Sequence, residues 1–205
     1  MSDAHLPRLV VFTGSPRTPS RSKALGMLIA EAVAARLPVK IEAHDVVEAG
    51  RGLGSAYSRE ELPESALNIV EAIEEADGLI LITPVQKGSF TGLFKHLIDF
   101  VDVEALIDVP AVIGATGGGY RHALVVEHQL RPLLGFFSAA TVPTSVYASD
   151  KDFDGAAIAD PGVAQRIELA AAQMASMLES RFRTAQSKAL NHHTSMAELA
   201  ATKLA

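Results

Sequence analysis

The chain has 205 residues, 48% of them hydrophobic and 20% charged, the balance of one globular domain rather than of a disordered segment or a coiled coil. The 24 acidic residues outweigh the 18 basic ones to give a formal charge of −6, which disfavours non-specific binding to nucleic acid or to an anionic membrane. Cysteine is absent, which excludes disulfides, thiol nucleophiles and Cys-ligated zinc. Tryptophan is also absent and aromatics make up 5%, so the core has to be aliphatic.

The longest apolar runs, such as Gly78–Ile82 and Val109–Ala115, fall well short of the roughly 18–20 residues that a bilayer helix needs. The N-terminal Met1–His5 has neither the basic start nor the apolar stretch of a signal peptide. A soluble, cytoplasmic protein is expected.

Five apolar, branched runs separated by helical patterns follow in chain order. Leu9–Thr13 reads as a buried strand that stops at Gly14-Ser15-Pro16. Ser20 or Ser22 then caps a helix that keeps Leu25, Leu28, Ile29, Ala32 and Val33 at helical spacing. Val39–His44 alternates like a strand near an edge, and the polar, Gly-rich Asp45–Arg59 reads as a surface excursion, including Gly50-Arg51-Gly52-Leu53-Gly54. Pro63 opens a helix with Leu67, Val70, Ile73 and Ala76 on one face. Gly78–Ile82 is apolar on both faces, as a central parallel strand is. A loop over Thr83–Phe90 leads into a helix that ends near Val101. A fourth strand over Val109–Ala115 closes at Thr116-Gly117-Gly118-Gly119. A long helix from Arg121 to Phe137, a fifth strand over Thr141–Tyr147 and a last strong helix from Pro161 to Phe182 complete the order. Residues 1–182 form the predicted domain, and 183–205 a C-terminal amphipathic tail.

Strict β/α alternation implies right-handed crossovers and a parallel sheet covered by helices on both faces. Five strands in this length favour a flavodoxin-like α/β fold, doubly wound in the order 2-1-3-4-5, with ligands outside the carboxyl ends of the strands where the order reverses. The loops after strands one, three and four therefore converge. The first, Gly14–Ser22, offers a tight turn, three serines, Arg17 and Arg21, and the free N–H groups of a helix start, which together suit a terminal phosphate monoester. It matches neither a Walker A motif nor Gly-x-Gly-x-x-Gly. The second, Thr83–Phe90, suits a flat ring held edge-on by main-chain groups. The third, Thr116–Gly119, has almost no side chains to keep a ligand from the backbone. The last two read as walls of a flavin site.

These loops, with Gly92 and Lys95 downstream of Thr83-Pro84-Val85, resemble the NAD(P)H-dependent FMN reductase family. The stretch Arg121-His122-Ala123-Leu124 through His128-Gln129-Leu130-Arg131-Pro132-Leu133 resembles its two-component branch, the reductases that serve alkanesulfonate and methanesulfonate monooxygenases. The likeness covers roughly residues 8–180. It implies hydride transfer from NADH or NADPH to FMN and delivery of FMNH2 to a flavin-dependent monooxygenase in sulfonate sulfur assimilation. It also implies a homo-tetramer or dimer with the flavin near a subunit boundary. By matching position, Ser15, Arg17, Ser20 and Ser22 bind phosphate, while Pro84, Val85, Gln86, Lys87 and Gly88 together with Thr116, Gly117, Gly118 and Gly119 frame the isoalloxazine. Relatives commonly carry Tyr where this chain has Gln86, and an aromatic or His at the place of His128 is associated with a π-type turn near the flavin and the subunit interface.

No general acid or base is expected, because the nicotinamide and the flavin carry the hydride chemistry themselves. No metal is expected either: His192-His193 has only Glu198 nearby, and His96 reads as packing or surface. Two other functions compete. One is a reductase of quinones, azo dyes or metal oxyanions that keeps its FMN bound; the other is an electron carrier like flavodoxin. The first loop lacks the Thr-rich pattern of flavodoxins and the chain is long for one, so the carrier is the weakest of the three. No residue selects for or against a 2′-phosphate.

Overall fold

Branched residues on both sides of a strand require cover on both faces, and the chain supplies it. A computed structural model describes the backbone of residues 6–202 and the side chains of residues 6–183. Met1–His5 and the side chains of His192, His193 and Glu198 lie outside the described residues. Strands β1 (Arg8–Thr13), β2 (Lys40–Asp45), β3 (Gly78–Pro84), β4 (Pro110–Gly117) and the short β5 (Ala140–Thr141) pair in parallel, and the sheet order is β2-β1-β3-β4-β5. This is the doubly wound order 2-1-3-4-5 of the flavodoxin-like fold. Along β3, Leu79 and Leu81 enter one core while Ile80 and Ile82 enter the other, and Val10/Phe12 and Leu9/Val11 divide in the same way along β1.

Helices α1 (Arg21–Ala34) and α5 (Pro161–Thr202) cover one face, α5 through Val163, Ile167, Ala170, Ala171, Met174 and Leu178 at helical spacing. Helices α2 (Glu64–Glu74) and α3 (Gly92–Ile98) cover the other together with α4 (Arg131–Phe136). Phe12 stacks on Phe94 with ring centroids 5.5 Å apart in a largely aliphatic core. Among the described residues no helix is long and apolar enough to cross a membrane.

Three expectations need correction. The fifth strand is split into β5 (Ala140–Thr141) and β6 (Val146–Ser149), which pair with opposite ends of β4. Pro143 lies in the break and has no N–H to give a ladder. The helix expected over 121–137 is also broken: a 3₁₀ turn covers Tyr120–His122 and α-helix resumes only at α4, while the π-helical turn over Val126–Leu130 between them contains His128, as the resemblance implied. Pro132 cannot donate to the carbonyl of His128, and the wider turn lies directly before it. Finally, Asp45–Arg59 is no mere surface excursion. Val46, Ala49, Leu53 and Ala56 are buried, and the Arg51–Ser55 segment forms a 3₁₀ helix.

After β6, a short hairpin of β7 (Phe153–Asp154) and β8 (Ala157–Ile158) leads to α5. The π turn is clamped at its C-terminal side. Arg131 donates from Nε and Nη to both carboxylate oxygens of Glu127 (2.5 and 3.0 Å) and from Nη1 to Thr141 Oγ1 at 2.9 Å, tying the turn to β5. The Arg131 guanidinium holds Glu127 at about 2, below its ordinary 4.5.

Two outcomes test this packing. A Cβ at Gly114 would meet the Val146 carbonyl oxygen at 2.8 Å and Ile82 Cδ1 at 2.7 Å, and the carbonyl is fixed in the sheet. Gly114→Ala is expected to lower stability by about 1–3 kcal/mol in urea denaturation. Because the folded state lowers the Glu127 pKa, the pair stabilises fully above pH 4.5 and loses its effect as pH falls toward about 2. The stability gap between wild type and Glu127→Gln should close over that range. The gap itself should be modest, since the Glu127 side chain is 40% exposed.

Candidate flavin and nicotinamide site

The sheet register brings the ends of β1, β3 and β4 level, with Thr13 beside Ile82 and Thr83 beside Ala115. At the end of β1 the Gly14 amide donates to the Ile82 carbonyl at 2.8 Å, and the chain passes so close to α3 that a Cβ at Gly14 would lie 2.7 Å from Phe94 Cβ. Ser15 is almost buried, while Pro16, Arg17 and Thr18 are exposed. Ser20 caps α1, its hydroxyl accepting from the Lys23 amide at 3.1 Å. The amides of Arg21 and Ser22 in the first turn have no acceptor among the described residues, as the geometry of a helix start requires. The Arg17 guanidinium also has no ion pair among them. Arg21, by contrast, binds Asp150 at 2.8 Å and lies over the Phe153 ring. Ser22 is 2% exposed, and its hydroxyl is 2.8 Å from that of Thr116. Ser15, Arg17 and Ser20 thus share one turn with two open amides, whereas the Ser22 hydroxyl joins the first loop to the third.

The second loop is a tight hairpin. Val85 donates to the Thr116 carbonyl at 2.7 Å, and Gln86 and Ser89 exchange backbone bonds of 2.9 and 3.2 Å. Lys87 and Gly88 between them both have positive φ, 51° and 85°, the pattern of a type I′ turn. Ser89 Oγ donates to Gln129 Oε1 at 3.2 Å, which links this turn to the π turn that contains the exposed His128. Thr91 then fixes the loop from below. Its hydroxyl donates to the Gly14 carbonyl at 2.7 Å, its amide donates to Thr83 Oγ1, and it caps α3. Sequence reasoning passed over Thr91, although a threonine just ahead of the helical Gly92–Ile98 is a capping signal.

In the third loop, Gly117 leaves room for the Tyr147 hydroxyl, which a Cβ would approach to 2.6 Å, while Gly118 and Gly119 are open. Tyr147 donates to the Gly119 carbonyl at 2.7 Å, and burial pushes its phenol up. Tyr120 donates to the buried Asp152, which holds the far end of the loop.

A cleft of about 490 Å³ opens beside these loops, lined by Gly14 and Pro16, by Gln86, by Leu93 and His96 of α3, and by Gly54. Neither Gly54 nor His96 was picked out from sequence as part of a site. His96 Nε2 lies 3.0 Å from the Leu53 carbonyl and its ring meets Phe100 edge-on, so it fastens the 3₁₀ segment to α3. No local pattern announces a contact between residues 43 positions apart. Among the described residues no cluster of His, Asp and Glu could hold a metal ion. The arrangement offers an anion seat on open amides and an exposed cation. Next to it lie two glycine-bearing walls and a largely apolar cleft of the size that takes a cofactor-like ligand.

The model of the NADPH-dependent FMN reductase family matches residues 7–154. The chain is 42% identical to the NADH-dependent FMN reductase SfnF of Pseudomonas fluorescens, covering 83% of this chain and 91% of that one. It is 39% identical to an NADPH-linked FMN reductase of Pseudomonas aeruginosa, over 85% and 94% of the two chains. Among solved structures, an oxidoreductase from Corynebacterium diphtheriae superimposes with a TM-score of 0.77 at 34% identity, covering 86% of this chain and 99% of that one. The apo form of an NADH:FMN oxidoreductase gives a TM-score of 0.72 at 28% identity, covering 82% and 88%. An archaeal flavodoxin shares the fold alone, with a TM-score of 0.57 at 9% identity. The chain belongs to the NADPH-dependent FMN reductase family and is an NAD(P)H:FMN oxidoreductase, with FMN and NAD(P)H as its substrates.

Proposed function

We propose that this reductase releases free FMNH2 to a flavin-dependent monooxygenase of sulfonate sulfur assimilation. The observation that carries the site assignment is the meeting of three loops at one sheet edge, with the first offering open amides at the start of α1 and Arg17, which has no ion pair among the described residues. In this reading, Arg17, Ser15 and the first-turn amides bind the FMN phosphate, and 84–88 and 116–119 frame the ring. Ser20 acts mainly as the helix cap, and Ser22 as the tie to Thr116. The 42% identity to an NADH-dependent reductase named SfnF and the run after Gly119 support the sulfonate branch.

The reaction is NAD(P)H + H⁺ + FMN → NAD(P)⁺ + FMNH2, with a hydride passing from nicotinamide C4 to flavin N5. The nicotinamide and the flavin supply that chemistry, and no side chain has to act as acid or base on carbon. The protein's part is to stack and orient two rings and to present N–H groups to the negative charge that grows on the reduced flavin. Residues 1–182 carry this activity in our reading, and 183–205 form an appended tail. Exposed apolar side chains such as Leu93, Val103, Leu124 and Phe136 suit a homo-tetramer or dimer, with His128 near a subunit boundary.

Anaerobic oxidation of NADH and NADPH, with and without added FMN, FAD or riboflavin, tests the reading. Turnover that depends on added FMN supports a releasing reductase. Protein that keeps FMN through gel filtration and reduces quinones or azo dyes without added flavin contradicts it. Arg17→Ala should weaken FMN by roughly tenfold or more while leaving riboflavin, which lacks the phosphate, unchanged in fluorescence titration. Gln86 adjoins the cleft and has no aromatic face, which keeps flavin exchangeable. Gln86→Tyr should tighten oxidised FMN about two- to tenfold and slow its release in the same titration and in stopped flow.

A further inference from the structure

We infer that Arg51 binds a phosphate group of the nicotinamide substrate at the rim of the cleft beside the flavin loops. The inference rests on the reading above that this site takes a nicotinamide dinucleotide together with FMN. In a 3₁₀ helix, side chains three residues apart lie one above the other, so Arg51 shares a face with Gly54, which lines the cleft. Leu53 points the other way and is fully buried. Arg51 itself is exposed, and among the described residues its guanidinium has no ion pair or hydrogen bond.

The segment that carries it is fixed. His96 bonds the Leu53 carbonyl, Ser55 Oγ donates to the Gly52 carbonyl at 2.9 Å, and Ser65 Oγ donates to the Ala49 carbonyl at 3.0 Å. Binding a phosphate here orders one side chain and no backbone, which keeps its entropic cost small.

The charge inventory singles out the same residue. FMN has one terminal phosphate, for which the first loop has Arg17 and open amides. The dinucleotide brings a pyrophosphate, and NADPH a further 2′-phosphate, and these need a cation of their own. Three other cations on this side are committed: Lys23 to Asp45 and Glu48, Lys95 to Asp99, and Arg21 to Asp150. Lys87 has no ion pair among the described residues, but it stands on the turn assigned above to the flavin. Arg121 and Lys151 also have no ion pair among the described residues, but they follow β4 and β6, whose residues do not line this cleft, whereas Arg51 is on the 3₁₀ turn that contributes Gly54 to its lining.

Steady-state kinetics at saturating FMN, with NADH and NADPH titrated against wild type, Arg51→Ala and Arg51→Lys, test this. The expected result is at least a fivefold rise in KM for the nucleotide in the Ala variant and a smaller rise in the Lys variant. The kcat and the KM for FMN should stay within twofold. A rise for both nucleotides assigns the pyrophosphate, and a rise for NADPH alone assigns the 2′-phosphate. Unchanged KM for both nucleotides, or an equal rise in the KM for FMN, overturns the inference. Calorimetric binding of NADH and NADPH to wild type and Arg51→Ala separates it from the proposed release of FMNH2. Lost nucleotide affinity in a chain that keeps its FMN bound supports Arg51 and refutes the release reading, and equal affinity refutes Arg51.

Discussion

Parallel pairing of β1, β3 and β4 in one level register is the constraint on which the rest of this molecule depends. A parallel sheet puts every carboxyl end on the same edge, so the loops that leave it have no choice but to neighbour one another. Two buried hydroxyl bonds then turn neighbours into a fixed constellation. Thr91 holds the first loop to the second through the Gly14 carbonyl, and Ser22 holds the first helix to the third loop through Thr116. Both bonds lie away from water, where an unmade partner would cost about 1–3 kcal/mol, so each loop is set by the others. Gly14 and Gly117 permit the close approaches, since a Cβ at either would collide with Phe94 or with Tyr147.

That rigidity matters because the chemistry asks little else of the protein. Hydride transfer between two stacked rings needs a short, aligned approach and a favourable field at the acceptor, not a proton relay. The site accordingly has few ionisable groups with displaced pKa values. Of those that are displaced, Tyr147 is pushed up by burial, while Glu127 and Asp45 belong to ion pairs that hold the π turn and the segment after β2 in place. Burial opposes the charge on Asp45, but Lys23 and the amides of Glu48 and Val47 outweigh it and keep the carboxylate low.

Much of this was legible in the residues. Gly78–Ile82, apolar at every position, could only be a strand covered on both faces, and the glycine and serine content of the three loops marked the ligand edge before any contact was known. The misreadings share a physical cause: local pattern carries no record of distant partners or of a missing N–H. Leu53 sits among glycines and an arginine, without strand or helix period, yet His96 and the core of α3 bury it. Residues 121–137 have a helical composition whose period alone does not show the π turn over Val126–Leu130, which only the resemblance at His128 pointed to. Ser20 and Ser22 match the phosphate loop alike by resemblance, while in the structure two residues of helix separate a cap from a buried crosslink.

A crystal structure of the protein soaked with FMN tests the central claim most directly. The account predicts the phosphate within hydrogen-bond distance of the Arg21 and Ser22 amides and of Arg17, with the ring between residues 84–88 and 116–119 and the Ser22–Thr116 bond intact. Flavin bound away from the carboxyl edge of the sheet, or a phosphate that leaves those amides untouched, would contradict it.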